Sequence, residues 1–243
     1  MAILVTRPIP DNERTATALR ARGYDALLSP MLRFEEIPFH DEDDAAYDAV
    51  ILTSANAIRA ILDHPSRTHL FGLPAFAVGE HTADAARAAG FREVASAQGN
   101  AQSLVDLVVK RLKKDSTLCY LAGADLAHDL AADLGARGLT VITHTTYRMI
   151  PVTGFAARVG DAFRAGGIQA VLHYSRRSAR AYLDAARADG VEISALAVPQ
   201  CCISETVAGL LRESGATQVA VARTPDENAI FDVLDRTLKA SSN

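Results

Sequence analysis

The sequence predicts an α/β protein built from two doubly wound lobes with parallel sheets. Short apolar strands alternate with helical patterns along all 243 residues, which is typical of parallel sheets with helical crossovers. Residues 47–62 (YDAVILTSANAIRAIL) are also similar to residues 168–183 (IQAVLHYSRRSARAYL), and each reads as a strand, a polar turn and a helix start. Two further segment pairs recur in the same order, 3–33 with 118–148 and 77–97 with 202–222. Chance recurrence of an α/β pattern is the alternative, but the shared order favours duplication.

Each predicted strand is an apolar run bounded by turn residues, and the runs lie near residues 2–6, 25–29, 49–53, 75–78, 93–96, 117–121, 140–144, 169–174, 195–199 and 218–222. Apolar residues at helical spacing fill the intervals and predict helices at 11–22, 55–63, 80–89, 101–114, 125–137, 155–166, 176–189, 205–214 and 226–240. Ser54 or Asn56 can cap one of these helices, and Pro225 precedes the last. Segments 34–44 and 147–155 break the alternation, and we interpret both as connections between lobes.

Composition and charge exclude several classes of protein. The net charge of −4 predicts no general attraction to nucleic acid or to an anionic membrane. No apolar stretch is long enough to span a bilayer, and the first residues do not resemble a signal peptide, so we expect a cytoplasmic protein. The three cysteines show no metal-binding spacing. The acidic run at 41–44 could bind a cation, but a solvated linker is the more ordinary interpretation.

The common catalytic motifs are missing: there is no P-loop, dinucleotide-binding, zinc-protease or nucleophile-elbow pattern. Instead, hydroxyls, amides and arginines follow the predicted strands. Such turns offer free backbone N–H groups and short side-chain donors, which suit a ligand with several carboxylates or phosphates. The alternative is that these residues only cap helices. The candidates are Arg7, Thr53, Ser54, Asn56, Gly79, Thr82, Tyr174, Ser175, Arg176, Ser178 and Thr206.

Five segments together resemble the uroporphyrinogen-III synthase family: ILVTRP at the start, LTSANAIRA at 52–60, AVGEHTADAARAAGF at 77–91, GLTVITHTTYR at 138–148 and VLHYSRRSARAYL at 171–183. The resemblance implies a cofactor-free lyase of tetrapyrrole and heme biosynthesis. Its substrate would be hydroxymethylbilane, which it would close to uroporphyrinogen III with inversion of ring D and loss of water. The resemblance also implies a monomer.

The resemblance further implies two flavodoxin-like lobes joined by a two-stranded connection, with the site in the cleft between them. The first lobe would be residues 1–35 plus 153–243, the second 40–146, and the linkers 36–39 and 147–152. The internal duplication alone would predict a single cut near residue 115, and on this point the resemblance takes precedence.

By the same resemblance, the tyrosine of the connecting strand is Tyr147, which we expect to assist loss of the terminal hydroxyl, with water as the rival proton donor. The substrate-binding turns fall on Thr53, Ser54, Asn56, Gly79, Thr82, Tyr174, Ser175, Arg176, Ser178 and Thr206. Two motifs depart from the family: HYSRRS replaces FTSPSG, and ISETV replaces IGPTT. Since the SRRS turn is basic, we expect it to bind more of the substrate's carboxylates than the neutral SANA turn does. A two-lobed binding protein or sensor for a small polycarboxylate is the alternative function.

Overall fold

The computed structural model describes residues 1–39, 46–126 and 128–241. The chain divides into two compact units: Met1–Arg33 with Ile150–Asn243, here called the first unit, and Phe34–Met149, the second unit. The acidic run at 41–44, considered above as a cation site, lies outside the described residues. No helix among the described residues is long and apolar enough to cross a membrane.

Helices and strands alternate along most of the chain. Its first half contains β1 (Ala2–Val5), α1 (Asp11–Ala21), β2 (Asp25–Leu28), β3 (Leu32–Glu36), β4 (Ala49–Leu52), α2 (Ala55–Ala60), α3 (Arg67–Gly72), β5 (Pro74–Ala77), α4 (Glu80–Ala89), β6 (Glu93–Ser96) and α5 (Ala101–Arg111). The second half contains β7 (Thr117–Gly123), α6 (Leu130–Gly135), β8 (Thr140–Pro151), α7 (Ala157–Arg164), β9 (Ile168–His173), α8 (Arg176–Ala188), α9 (Glu192–Ala197), β10 (Gln200–Cys202), α10 (Glu205–Glu213), β11 (Val219–Val221) and α11 (Glu227–Ser241).

The strands form two sheets. The first unit holds a five-stranded sheet in the order β11-β10-β9-β1-β2, in which every pair is parallel. The second sheet has six strands in the order β3-β8-β7-β4-β5-β6, and its pairs from β8 to β6 are parallel. Strands β3 and β8 run in opposite directions, since Ile37 N–H bonds Thr146 O and Val152 N–H bonds Met31 O. The predicted α/β class with parallel sheets is confirmed.

Burial explains why the central strands are continuous apolar runs. Ala49–Leu52 of β4 are all fully buried, because helices pack on both faces of the six-stranded sheet. One face packs on α2 and α4, and the other on α5 and α6. The functional consequence is that the strand ends, rather than the strand faces, are left to carry polar residues.

Two predicted elements differ in the structure, and one helix was not predicted. The strand predicted at 195–199 is wrong: helix α9 occupies Glu192–Ala197 and the strand begins at Gln200. Ala195 is fully buried and Ala197 is exposed, whereas residues two apart in a strand lie on the same face. Helix α3 was not predicted, and the helix predicted at 125–137 is confined to α6, whose first turn is capped by the Asp129 carboxylate.

Candidate functional site

A cavity of about 300 Å³ lies at the carboxyl edge of the six-stranded sheet. This is the edge where open parallel sheets bind ligands, and the volume is at the lower end of the range for small-molecule sites. Residues that follow β4, β5 and β7 line the cavity together with one side chain of β8. The lining residues are Thr53, Ser54, Val78, Ala101, Tyr120, Gly123, Asp125, Leu126, His128, Leu130 and Tyr147.

Tyr147 is placed in this cavity by strand register and by a glycine. Its backbone pairs with Gly123 at the end of β7. A Cβ atom built on Gly123 would lie only 2.8 Å from the Tyr147 hydroxyl oxygen, so only glycine leaves room for the phenol here. The Tyr147 ring stacks on Phe34, with centroids 5.8 Å apart. The phenol is therefore held between a backbone strand and an aromatic ring.

Thr53 and Tyr120 form a second polar pair in the same cavity. Their hydroxyl oxygens are 3.2 Å apart. Tyr120 is almost fully buried, and that burial raises its pKa, an effect that its hydrogen bond to Thr53 partly offsets. Tyr120 therefore remains a neutral hydroxyl at physiological pH. Tyr120 was not among the predicted site residues. It lies in β7, which pairs with β4, the strand that ends just before Thr53. A single tyrosine inside an apolar strand could have indicated a site residue.

Ser54 and Asn56 have local roles at the start of helix α2. The Ser54 hydroxyl oxygen accepts the Asn56 backbone N–H at 3.2 Å, which caps the helix. Asn56 Nδ2 lies 3.6 Å from Met149 Sδ, and Asn56 is not among the residues lining the cavity. Ser54 both caps and lines the cavity.

Gly79 and Thr82 begin helix α4 and do not line the 300 Å³ cavity. Gly79 is the extended residue before the helix, and its carbonyl accepts the Ala83 N–H. Thr82 is 5% exposed. The adjacent Val78 side chain does line the cavity, so this turn contributes an apolar wall.

An imidazole and two carboxylates also belong to this edge. His128 and Asp125 line the cavity, and His128 Nε2 lies 2.5 Å from Asp133 Oδ2 in α6. The sequence showed no convergent pattern around His128. It lies between the carboxyl end of β7 and the start of α6, and this position beside a strand end is the signal that would have found it.

The corresponding edge of the first unit contains a hydrogen-bonded network around Glu227. Arg7 donates to Asp11 at 2.9 Å and to Glu227 at 3.2 Å, and its guanidinium lies over the Tyr174 ring, 4.4 Å from the centroid. Thr15 and Tyr174 hydroxyls also donate to Glu227 Oε1, at 2.5 and 3.3 Å. Burial, followed by the Glu227 charge, raises the pKa of Tyr174. Arg7 and Tyr174 are thus already engaged within this unit.

Ser175 caps α8 in the same way that Ser54 caps α2. Its hydroxyl accepts the Ser178 N–H at 3.1 Å and lies 2.9 Å from the Ser178 hydroxyl, to which it donates. Ser178 is 2% exposed, so its side chain serves the helix start. Tyr174, the residue before the cap, belongs to the Glu227 network. The exposed polar side chains of the SRRS turn are therefore its two arginines, Arg176 and Arg177.

Exposed arginines surround a second concave surface, in the first unit. A depression of about 350 Å³ is lined by Pro151 and by one face of α8, namely Arg176, Arg177, Arg180, Ala181 and Asp184. Within the part of the chain that the structure describes, no ion pair involves Arg176 or Arg180. Thr206 is exposed near the start of α10 and does not line this depression.

A family model described as "Uroporphyrinogen-III synthase HemD" matches residues 13–232. The chain belongs to this family. Among solved structures, a uroporphyrinogen-III synthetase from Helicobacter pylori is 18% identical, with 97% of this chain and 98% of that chain covered and a TM-score of 0.67. A mutant uroporphyrinogen III synthase from Thermus thermophilus is also 18% identical, with 99% and 100% covered and a TM-score of 0.57. No curated protein sequence matches significantly.

Family membership confirms the predicted class of the protein: a uroporphyrinogen-III synthase, which is a lyase of tetrapyrrole and heme biosynthesis acting on a small molecule. The alternative of a binding protein or sensor is not favoured. At these identities the two solved structures show the shared fold.

In this synthase-family chain, the 300 Å³ cavity is not lined by Cys201, Cys202 or His173. Burial raises the pKa of Cys201 and of Cys202 to about 12, so neither is a thiolate at neutral pH. His173 is fully buried, donates its Nε2–H to Gln200 Oε1 at 2.8 Å, and does not reach a ligand surface. Among the described residues, no group of three His, Cys, Asp or Glu side chains is arranged to hold a metal ion.

Proposed function

We propose that this chain closes hydroxymethylbilane to uroporphyrinogen III with inversion of ring D, and that Tyr147 assists loss of the terminal hydroxyl. The observation that carries the proposal is the cavity in which Tyr147 lies beside Thr53 and Ser54, at the carboxyl edge of the sheet. The cavity offers the reacting end of the tetrapyrrole a pocket with four hydroxyl groups and several apolar walls.

The chemistry begins at the hydroxymethyl carbon. Its C–O bond breaks as water leaves, and the ring becomes an electrophilic azafulvene. A phenol that donates a hydrogen bond to the leaving oxygen stabilises that step without forming a covalent intermediate. The substituted carbon of ring D then attacks, and the spirocyclic product reopens and recloses with the ring inverted. Since unassisted closure gives the symmetric type I isomer, the protein's main task is to hold the chain in the conformation that allows this attack.

Both units are proposed to bind the substrate's eight carboxylates. Charge-assisted hydrogen bonds from arginine are strong and geometrically specific. Arg176 suits this role because it is exposed and has no ion pair among the described residues. Arg7 already pairs with Asp11 and Glu227, so it is the proposed binding residue with the least free charge to offer a carboxylate. The proposed binding residues are Arg7, Thr53, Ser54, Asn56, Gly79, Thr82, Tyr174, Ser175, Arg176, Ser178 and Thr206.

The proposal includes no cofactor, a monomeric protein and a cytoplasmic location. The test of function is to supply hydroxymethylbilane to the purified chain and to separate the type I and type III products. We expect the type III isomer in excess and at a rate above that of spontaneous closure. Formation of type I alone, at the spontaneous rate, would show that the chain is not a working synthase.

A further inference from the structure

We propose that His128, oriented by Asp133, is the acid that supplies the proton lost with the leaving hydroxyl, and that Tyr147 holds that hydroxyl by a hydrogen bond. This inference rests on the proposed function and adds a catalytic residue to it. It is carried by the shared cavity: the His128 imidazole, the Tyr147 phenol and the Asp125 carboxylate all line the same 300 Å³ space.

The His128 ring is about half exposed and contacts a carboxylate of α6. Its Nε2 is 2.5 Å from Asp133 Oδ2, which leaves Nδ1–H as the group for donation. Asp133 lies in the first turn of α6, which the Asp129 side chain caps by accepting the Ala132 N–H at 3.0 Å. An acid that is oriented by a hydrogen-bonded carboxylate is the arrangement that proton-transfer sites use.

Histidine is the side chain that most often acts as a general acid and base in enzymes, because it can both donate and accept a proton near neutral pH. The titratable groups that line the cavity with His128 are Asp125, Tyr120 and Tyr147, and Asp133 bonds to its ring. Among these described lining residues there is no lysine or arginine, so His128 is the basic side chain of the cavity.

The proton balance closes over one turnover. His128 Nδ1–H passes its proton to the hydroxyl oxygen, the C–O bond breaks with its electron pair on oxygen, and water leaves. When ring D finally recloses through its unsubstituted carbon, that carbon loses a proton and the pyrrole becomes aromatic again. The neutral imidazole accepts this proton, which restores His128 without any further reactant.

The experiment compares His128→Gln, Asp133→Asn and the wild-type chain, with His69→Gln as the matched control. His69 is an exposed histidine of the same unit, in α3, and does not line the cavity. For each, kcat and KM for type III formation are measured from hydroxymethylbilane across neutral and alkaline pH, with type I measured separately and folding checked by circular dichroism.

We expect His128→Gln to lower kcat by about 100-fold, the usual contribution of a general acid, with little change in KM. The variant should also change the dependence of kcat on pH, because an amide does not exchange a proton. Asp133→Asn should cause a smaller loss of kcat with little change in KM, because the imidazole loses the carboxylate to which it is bonded. His69→Gln should behave as wild type.

The outcomes separate the two proposals. If wild type makes type III while His128→Gln keeps the wild-type kcat and pH profile, His128 is not the acid and only this inference fails. If wild type makes type I alone, the proposed function fails and this inference with it. Asp133→Asn answers the same question should His128→Gln not fold, since an unchanged kcat in that variant also overturns the inference.

Discussion

The Tyr147 phenol lies against the backbone of Gly123: a Cβ atom there would be 2.7 Å from Tyr147 Cζ and 2.8 Å from its hydroxyl oxygen. Real Cβ contacts are essentially never this short, so any side chain at position 123 displaces the phenol. We predict that Gly123→Ala lowers kcat for type III formation. The free energy of unfolding should fall by at most about 3 kcal/mol, the upper end of the usual cost of overpacking. Steady-state kinetics and urea denaturation measure the two effects.

Gly72→Ala is the control for that substitution, because no atom lies within 4 Å of a Cβ built at this position in the same unit. Its kcat should equal that of wild type. The double variant Gly123→Ala with Tyr147→Phe should be no slower than Tyr147→Phe alone, since both changes remove the same hydroxyl. Independent, additive losses would show that Gly123 acts through something other than Tyr147.

The arginines of α8 should affect substrate binding rather than turnover. Arg176→Gln and Arg180→Gln should each raise KM by about 2- to 5-fold with kcat unchanged, the size expected of exposed charge pairs. The effect should shrink at high salt, because exposed charges are screened. Arg187→Gln is the control on the same helix, since Arg187 bonds Glu192 at 2.6 Å and lies outside the depression. If Arg176→Gln and Arg180→Gln both keep the wild-type KM, these arginines of α8 do not bind the substrate.

Arg7 and Glu227 should be coupled energetically. Their side chains are 22% and 32% exposed and 3.2 Å apart. A double-mutant cycle with Arg7→Gln and Glu227→Gln, measured by urea denaturation, should give a coupling free energy of about 1 kcal/mol. Because the guanidinium is already engaged, Arg7→Gln should change KM less than Arg176→Gln does. A large rise in KM with no coupling would instead make Arg7 a substrate ligand.

His173 should make the fold sensitive to acid. Its complete burial lowers its pKa to about 4, while the unfolded chain titrates near the ordinary 6.5. The unfolded state therefore binds more protons below pH 6.5, so the stability that neutral His173 contributes is complete above that pH and is lost as pH falls toward 4. Between pH 7.5 and 5, wild type should lose about 2 kcal/mol more than His173→Gln in urea denaturation. Parallel losses in the two proteins would contradict the assignment.

Sequence patterns predicted the parts of the fold that depend on local periodicity. The buried strands β4 and β9 and the serine-capped helices α2 and α8 follow from apolar runs and capping residues. Part of helix α9 was mistaken for a strand, because the short apolar run at 195–199 fits either element when its exposure is unknown. Only the tertiary structure shows that Ala195 is buried while Ala197 is exposed.

The sequence predicted which turns carry site residues, but it did not predict which of those residues lie next to each other in the structure. Thr53, Ser54 and Tyr147 were proposed from turns and from family resemblance, and the structure places all three around one cavity. Tyr120 and His128 were not predicted, because their importance depends on which strands are adjacent in the sheet. Sequence spacing alone does not reveal that β7 lies between β4 and β8.

The most direct test of the account is the kcat of Tyr147→Phe for conversion of hydroxymethylbilane to the type III isomer. This substitution removes one hydroxyl and keeps the ring that stacks on Phe34. The account predicts a lower kcat, a KM close to that of wild type and a larger share of type I product from spontaneous closure. A Tyr147→Phe variant with wild-type kcat and undiminished type III formation would remove Tyr147 from the mechanism.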